Sequence, residues 1–292
     1  MAALVSRFQN SHDFYIEFRA NFETTTLALI AAKVFVMLAT LLPLHRMLAL
    51  AVLTSLPLTA WAAIGTARAP SESVHYRSCL SAANLNPAVA LTDADAWAKS
   101  GGGVPAQHCA ALALVSLKHY AEAGTRLDHI AADHGVPDMS FRAALYDQAG
   151  NAWLLAGDGA HAVQSFQAAL ALSAGDADLF ADLGRAQAMR RDWHEVDLDL
   201  NAALQLAPRR ADLLVLRASA RRALGRYAEA RTDIETALKL RPGDGNALVE
   251  SGLLRKQLGD LNGARRDFKA ALKTASGETA AEARDNLDAA GP

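Results

Sequence analysis

Aromatic residues make up only 6% of this 292-residue chain, and cysteine occurs twice. So small a supply of rings leaves alanine and leucine to build the core contacts. Cys79 and Cys109 lie 30 residues apart, without the close pairing of a tetrahedral zinc site. His129 and His134 are separated by five residues, not the four that put two ligands on one helical face, so this is no metalloprotease helix. His134, beside Gly135 and Pro137, reads as a solvated helix end, and His108 as a packing or surface residue beside Cys109. Charge is nearly balanced, 29 Lys+Arg against 31 Asp+Glu, so no broad basic field argues for nucleic acid. Gly101-Gly102-Gly103 lacks the Gly-Lys-Ser/Thr that completes a phosphate loop and reads as a helix break. No Gly-x-Ser-x-Gly elbow is present. Asp197, Asp199, Asp233 and Glu235 sit at helix positions that read as a solvated face. No catalytic residue, metal site or cofactor is expected.

What the chain does have is a period. Gly150, Gly184, Ala218 and Gly252 stand 34 residues apart. Ala169, Ala203, Ala237 and Ala271 keep the same spacing, each followed by leucine, and so do Phe166, Leu200, Ile234 and Phe268. A fixed period of this size predicts stacked two-helix hairpins, because one hairpin cannot bury its own apolar face and needs its neighbour's. Within Arg209–Pro242, Leu213, Leu214, Ala220 and Leu224 space a first helix that Gly225 stops. A second runs from Tyr227 to Leu240, ended by Pro242, and Asp244 stands where the next helix needs an N-cap. The small rungs let helices approach closely and the bulky rungs fill the space beside them.

These residues resemble the tetratricopeptide repeat family. Leu224–Ala230 and Leu258–Ala264 look like its inter-helix turn; Tyr146, Ala149, Gly150 and Trp153 like its first helix; Trp193, Leu200, Ala203 and Pro208 like its second helix and terminating proline. The likeness covers residues 143–276 and extends more weakly over 104–137. Gly159 departs from the expected aromatic, Val196 from an alanine, and Arg190–Arg191 from the usual turn pair. The resemblance implies an all-α, right-handed superhelical solenoid of helix-turn-helix hairpins, carrying an N-terminal hydrophobic helical segment. The expected organisation is a signal or anchor region over 1–69, cysteine-containing degenerate hairpins over 70–137, four repeats over 138–276 and a capping helix over 277–292. Thr279 and Glu282 fit a capping box opening that last helix at Ala280.

The family's first helices line a concave groove. Mapped onto this chain, that groove includes Asn151, Arg185, Ser219, Arg222, Leu253 and Lys256. The family's carboxylate clamp is not expected, because Asp147 and Ala181 occupy positions that would carry lysine. Arg185, Arg222 and Lys256 either favour an acidic or carboxylate-bearing peptide or keep the surface soluble. The function implied is a non-enzymatic scaffold for a protein or peptide partner. Alternatives are a structural or assembly subunit of an envelope complex and a binder of an envelope polymer.

Two apolar runs precede the repeats. Thr26–Leu44 has one charge, Lys33, and Met47–Gly65 has none; each approaches the roughly 20 residues that cross a bilayer. The second, with His45-Arg46 before it and Ala67-Arg68-Ala69 after it, also reads as a cleavable export signal, with Met37 as a possible translation start. Membrane contact through residues 26–65 is expected if the segment stays. A signal or single anchor puts the repeats in the periplasm; a two-helix hairpin with its N-terminus inside puts them in the cytoplasm. Exported, Cys79 and Cys109 would pair as a disulfide; in a cytosolic protein they would be two buried thiols. Tyr76–Cys79, Trp97, Gly101–Gly103 and His108–Leu114 also resemble the leading part of alphaproteobacterial exported repeat proteins.

Overall fold

The computed structural model describes residues 70–133, 136 and 138–289. The two apolar runs, His134, Pro137 and Ala290 lie outside them. The chain divides into two compact units, Met1–Ala113 and Leu114–Pro292.

In the first unit, α1 (Pro70–Leu85) and α2 (Pro87–Trp97) are followed by α3, which begins at Gly103 and runs to Ser116. The break before α3 needs glycine. Gly101 has φ 96° and Gly103 φ 54°, a region costly for residues with a Cβ. At Gly102 a Cβ would lie 2.6 Å from the Trp97 indole. The chain folded back there brings Cys79 of α1 to Cys109 of α3, and the two form a disulfide with Cα atoms 6.2 Å apart. Leu80, Ala83, Ala90, Ala94, Ala110 and Ala113 close around it. A cross-link over such a loop contributes about 3–4 kcal/mol in the chain-entropy model. His108 is buried here, its Nδ1 2.5 Å from the Tyr76 hydroxyl, and His75 stacks on Trp97 at 4.1 Å.

The second unit is a run of helices: α4 (Tyr120–Ala132), α5 (Met139–Ala156), α6 (Gly159–Leu172), α7 (Ala177–Met189), α8 (Trp193–Leu206), α9 (Ala211–Ala223), α10 (Tyr227–Leu240), α11 (Gly245–Gln257), α12 (Leu261–Ala271) and α13 (Gly277–Ala289). Each packs on its sequence neighbour, and α9 and α13 both also touch α11. Among the described residues there is no strand, and no helix is long and apolar enough to cross a membrane.

The 34-residue rungs interlock as short against bulky. A Cβ added at Gly150 would lie 2.6 Å from the Phe166 ring, and one at Gly252 2.5 Å from the Phe268 ring. At Gly184 the same atom would sit 3.3 Å from Leu200. In the one repeat that carries alanine, Ala218 packs with the slimmer Ile234. Ala169, Ala203, Ala237 and Ala271 are each fully buried, which lets the helices approach closely.

The ends follow local chemistry. Gly157, Gly225 and Gly259 take φ values of 80°, 76° and 84° in the turn inside their hairpins. In the α7–α8 turn, where the family pattern departs, Arg191 takes that role at φ 62°. Gly159 has a reason as well. A Cβ there would meet the Ala186 carbonyl at 3.0 Å and Met189 at 3.1 Å, leaving no space for an aromatic ring. Asp244 accepts from the Ala247 amide at 3.0 Å and caps α11. The capping helix corrects one expectation. It begins at Gly277, not after Thr279, and the Thr279 hydroxyl bonds Asn246 at 2.6 Å. Docking on α11 has taken that side chain from its own helix end. Ala283 is buried with Val249, Ala264, Phe268 and Ala271, and Leu287 packs against that cluster.

Two acids expected on a solvated face are buried instead. Asp197 and Asp233 keep 5% and 3% of their surface exposed. Arg217 donates to both oxygens of Asp233, at 2.9 and 2.7 Å, and to Asn201 at 2.6 Å. Arg221 bridges Asp197 at 2.8 Å and Asp233 at 2.9 Å. Burial pushes the Asp197 carboxyl up, but the Arg221 and Arg226 guanidinium groups outweigh it and hold the pKa below the usual range. The two arginines reach from α9 to α8 and to α10, and so tie three successive helices together.

Asp199, also on α8, has no such partner, and its Oδ2 is buried without a hydrogen bond. Burial, with the neighbouring Glu195 charge, raises its pKa to about 7. The folded form therefore holds a proton that the unfolded chain has already released, and stability declines as pH rises from about 4 to 7. Asp199→Asn should raise stability by about 1 kcal/mol at pH 8 and change little at pH 4, after discounting for the solvent-facing part of the group. Thermal melts at both pH values check this; equal shifts would contradict the assignment.

Candidate functional site: the face of the first helices

The positions expected to line a groove lie on α5, α7, α9 and α11, the first helices of successive hairpins. They do not form one cationic surface. Asn151 is buried and bonds within its own helix, donating to the Asp147 carbonyl and carboxylate, both at 3.0 Å. Arg185 pairs with Asp182 one turn before it. Arg222 reaches to the next first helix and grips Glu250 at 2.5 and 3.3 Å. Ser219 lies beside that same carboxyl and slightly lowers its pKa. Lys256 donates to Asn286 of α13 at 3.1 Å. Each of the three cations thus carries an acceptor from its own chain, and an incoming carboxylate would have to compete with it.

Glu250 holds this face together across α9 and α11. Its side chain is 8% exposed. Burial raises its pKa, and the Arg222 contact partly opposes that rise. Sequence reasoning identified Arg222 and Ser219 but not the glutamate that joins them. Glu250 lies 28 residues from Arg222, a pairing that appears only when one repeat is laid on the next. Between the polar contacts, Val215, Leu216 and Leu253 are half-buried, each edge-on to the cores beneath.

A second polar cluster, missed in the sequence, joins α4, α5 and α6. Asp128 accepts from the Trp153 indole at 2.7 Å and from the Ser165 hydroxyl at 2.8 Å. His161 stacks on Trp153 at 4.5 Å and bonds Asp158 at 2.6 Å. Serine, histidine and aspartate are close, but the serine proton is directed to a carboxylate and not to an imidazole. That is a packing arrangement, not an activated nucleophile. Burial raises the Asp128 pKa against the two hydrogen bonds it accepts. Among the described residues, no group of three His, Cys, Asp or Glu side chains is placed to hold a metal ion.

Paired helices on a 34-residue register, nested short-to-bulky, define a helical-repeat protein. Residues 211–244 match the family model described as Tetratricopeptide repeat. Solved structures share the fold: MamA from Desulfovibrio magneticus RS-1 aligns with a TM-score of 0.52 at 18% identity, over 59% of this chain and 95% of that one. A crystal structure of MamA protein aligns with a TM-score of 0.51, again at 18% identity, over 59% of this chain and 92% of the other. At such identity the likeness concerns the fold alone. No curated protein matches the chain.

Proposed function

We propose that this protein is a non-enzymatic scaffold that holds a polypeptide partner along its first helices. The observation that carries this reading is the strip formed by Val215, Leu216 and Leu253, apolar and only half-buried, on helices whose charged residues already have internal partners. Recognition then rests on apolar contact first, with displaced ion pairs supplying selectivity. An extended or helical segment crossing α9 and α11 would cover the strip. The two apolar runs within residues 26–65 and the Cys79–Cys109 disulfide support a periplasmic location, secreted or anchored, since such a cross-link persists in an oxidising compartment.

A photoreactive amino acid placed at Val215 or Ser219 should yield a discrete cross-linked partner in intact cells, and one at the exposed Gln167 of α6 should not. Equal adducts from all three positions, or none, would remove the groove reading. An exclusively cytoplasmic partner would remove the periplasmic one.

A further inference from the structure

We infer that the other side of the third and fourth repeats carries a second docking cleft, suited to an acidic segment with an apolar anchor. Between α10, α11 and α12 lies a cavity of about 420 Å³. Its apolar wall is Ile234 and Leu238 from α10 with Leu254 from α11 and Leu258 just past its end, and Leu258 is 43% exposed. Arginines surround that wall: Arg231 from α10, Arg255 from α11 and Arg266 from α12.

The charge balance selects the occupant. Glu235 and Asp260 also line the cleft, but Asp260 already caps α12, accepting from the Gly263 amide at 2.8 Å. Arg255 leans on Asp267, 3.3 Å away. Arg231 and Arg266 are exposed and have no ion-pair partner among the described residues. Two unneutralised guanidinium groups flank an apolar floor. An apolar side chain seated against Ile234 and Leu254, with a carboxylate on each side of it, satisfies all three features through charge-assisted hydrogen bonds. A nucleic-acid backbone fits less well, because it has no apolar group for the floor. The cleft is separate from the face of the first helices. It uses second helices α10 and α12, and on α11 it uses Ser251 and Leu254, not Leu253 and Lys256. It therefore stands whether or not the groove holds a partner.

The test is fluorescence anisotropy on the full chain, with a labelled short peptide in which central leucines are flanked by aspartate and glutamate. Its amide counterpart and a single-stranded oligonucleotide serve as competing probes. The acidic peptide should bind at least about tenfold more tightly than the amide form, and Arg231→Ser with Arg266→Ser should remove about that factor. Binding should weaken with salt, while Gln167→Arg at an exposed position of α6 leaves it unchanged. Neither arginine has an ion pair among the described residues, so the double variant keeps the structure intact. Equal binding of acidic and amide peptides, wild-type affinity in the double variant, or preference for the oligonucleotide would overturn the inference.

Discussion

Asp233→Ala should cost about 3–5 kcal/mol, the range for removing one partner of a buried ion pair. The reason is what remains behind. Arg217 and Arg221 have side chains only 15% and 12% exposed, and both donate to this carboxylate. Without it, Arg217 keeps only Asn201, and Arg221 keeps Asp197, a long contact to Asn201 at 3.4 Å and a looser one to Glu229 at 3.9 Å. Two guanidinium groups would then sit in the seam between α8, α9 and α10 with one buried carboxylate, Asp197, between them. Because repeats are stabilised mainly by their neighbours, weakening this seam should also split the unfolding transition. Glu235→Ala, two residues along the same helix and exposed, should change stability by less than about 0.5 kcal/mol. Urea unfolding followed by circular dichroism compares them. Similar midpoints for the two variants would show that the network does not hold the array.

This seam also marks how far the sequence can be read. Apolar and small positions repeat because every hairpin meets the same packing problem. Gly150, Gly184, Ala218 and Gly252 could therefore be placed by spacing alone, and their bulky partners lie where that spacing puts them. Polar contacts repeat only in part. The Arg221–Asp233 pair recurs one period later as Arg255–Asp267, but there Ser251 stands in place of Arg217, and one period earlier, where Asp199 matches Asp233, Leu183 and Gln187 replace both arginines. An aspartate on a helix looks the same in sequence whether it faces water or a guanidinium from its own or the following hairpin. For the same reason Arg222 was legible as a groove position while its acceptor Glu250 was not. Thr279 carried a helix-start signal, yet tertiary contact with Asn246 claimed its hydroxyl. Local chemistry specified the array; contacts between repeats specified which charges were already used.

Gly252→Leu should destabilise the protein by about 3 kcal/mol, and Gly252→Ala by about 2, because overpacking a filled core forces strain. The first added carbon would lie 2.5 Å from the Phe268 ring, and Phe268 is fully buried with Ala264 and Ala271 beside it. The ring cannot swing away without displacing α12. Either residue recovers about 1 kcal/mol over glycine through better helix propensity; the smaller substitution costs less because it forces fewer atoms into the filled space. Gly184→Ala tests the same change against a different partner. There the nearest atom is Leu200 at 3.3 Å, so strain and helix propensity nearly cancel and the midpoint should stay or rise slightly. The decisive variant is Gly252→Ala combined with Phe268→Ile, which reproduces the Ala218–Ile234 pairing already present one repeat earlier. The isoleucine alone should cost stability by leaving a void, yet in the alanine background it should restore it, a coupling of about 1 kcal/mol or more. Thermal melts of the two single variants and the double complete the cycle. Additive losses would mean that the rung positions are set independently, and that the short-to-bulky pairing across each hairpin is not what fixes the register of this array.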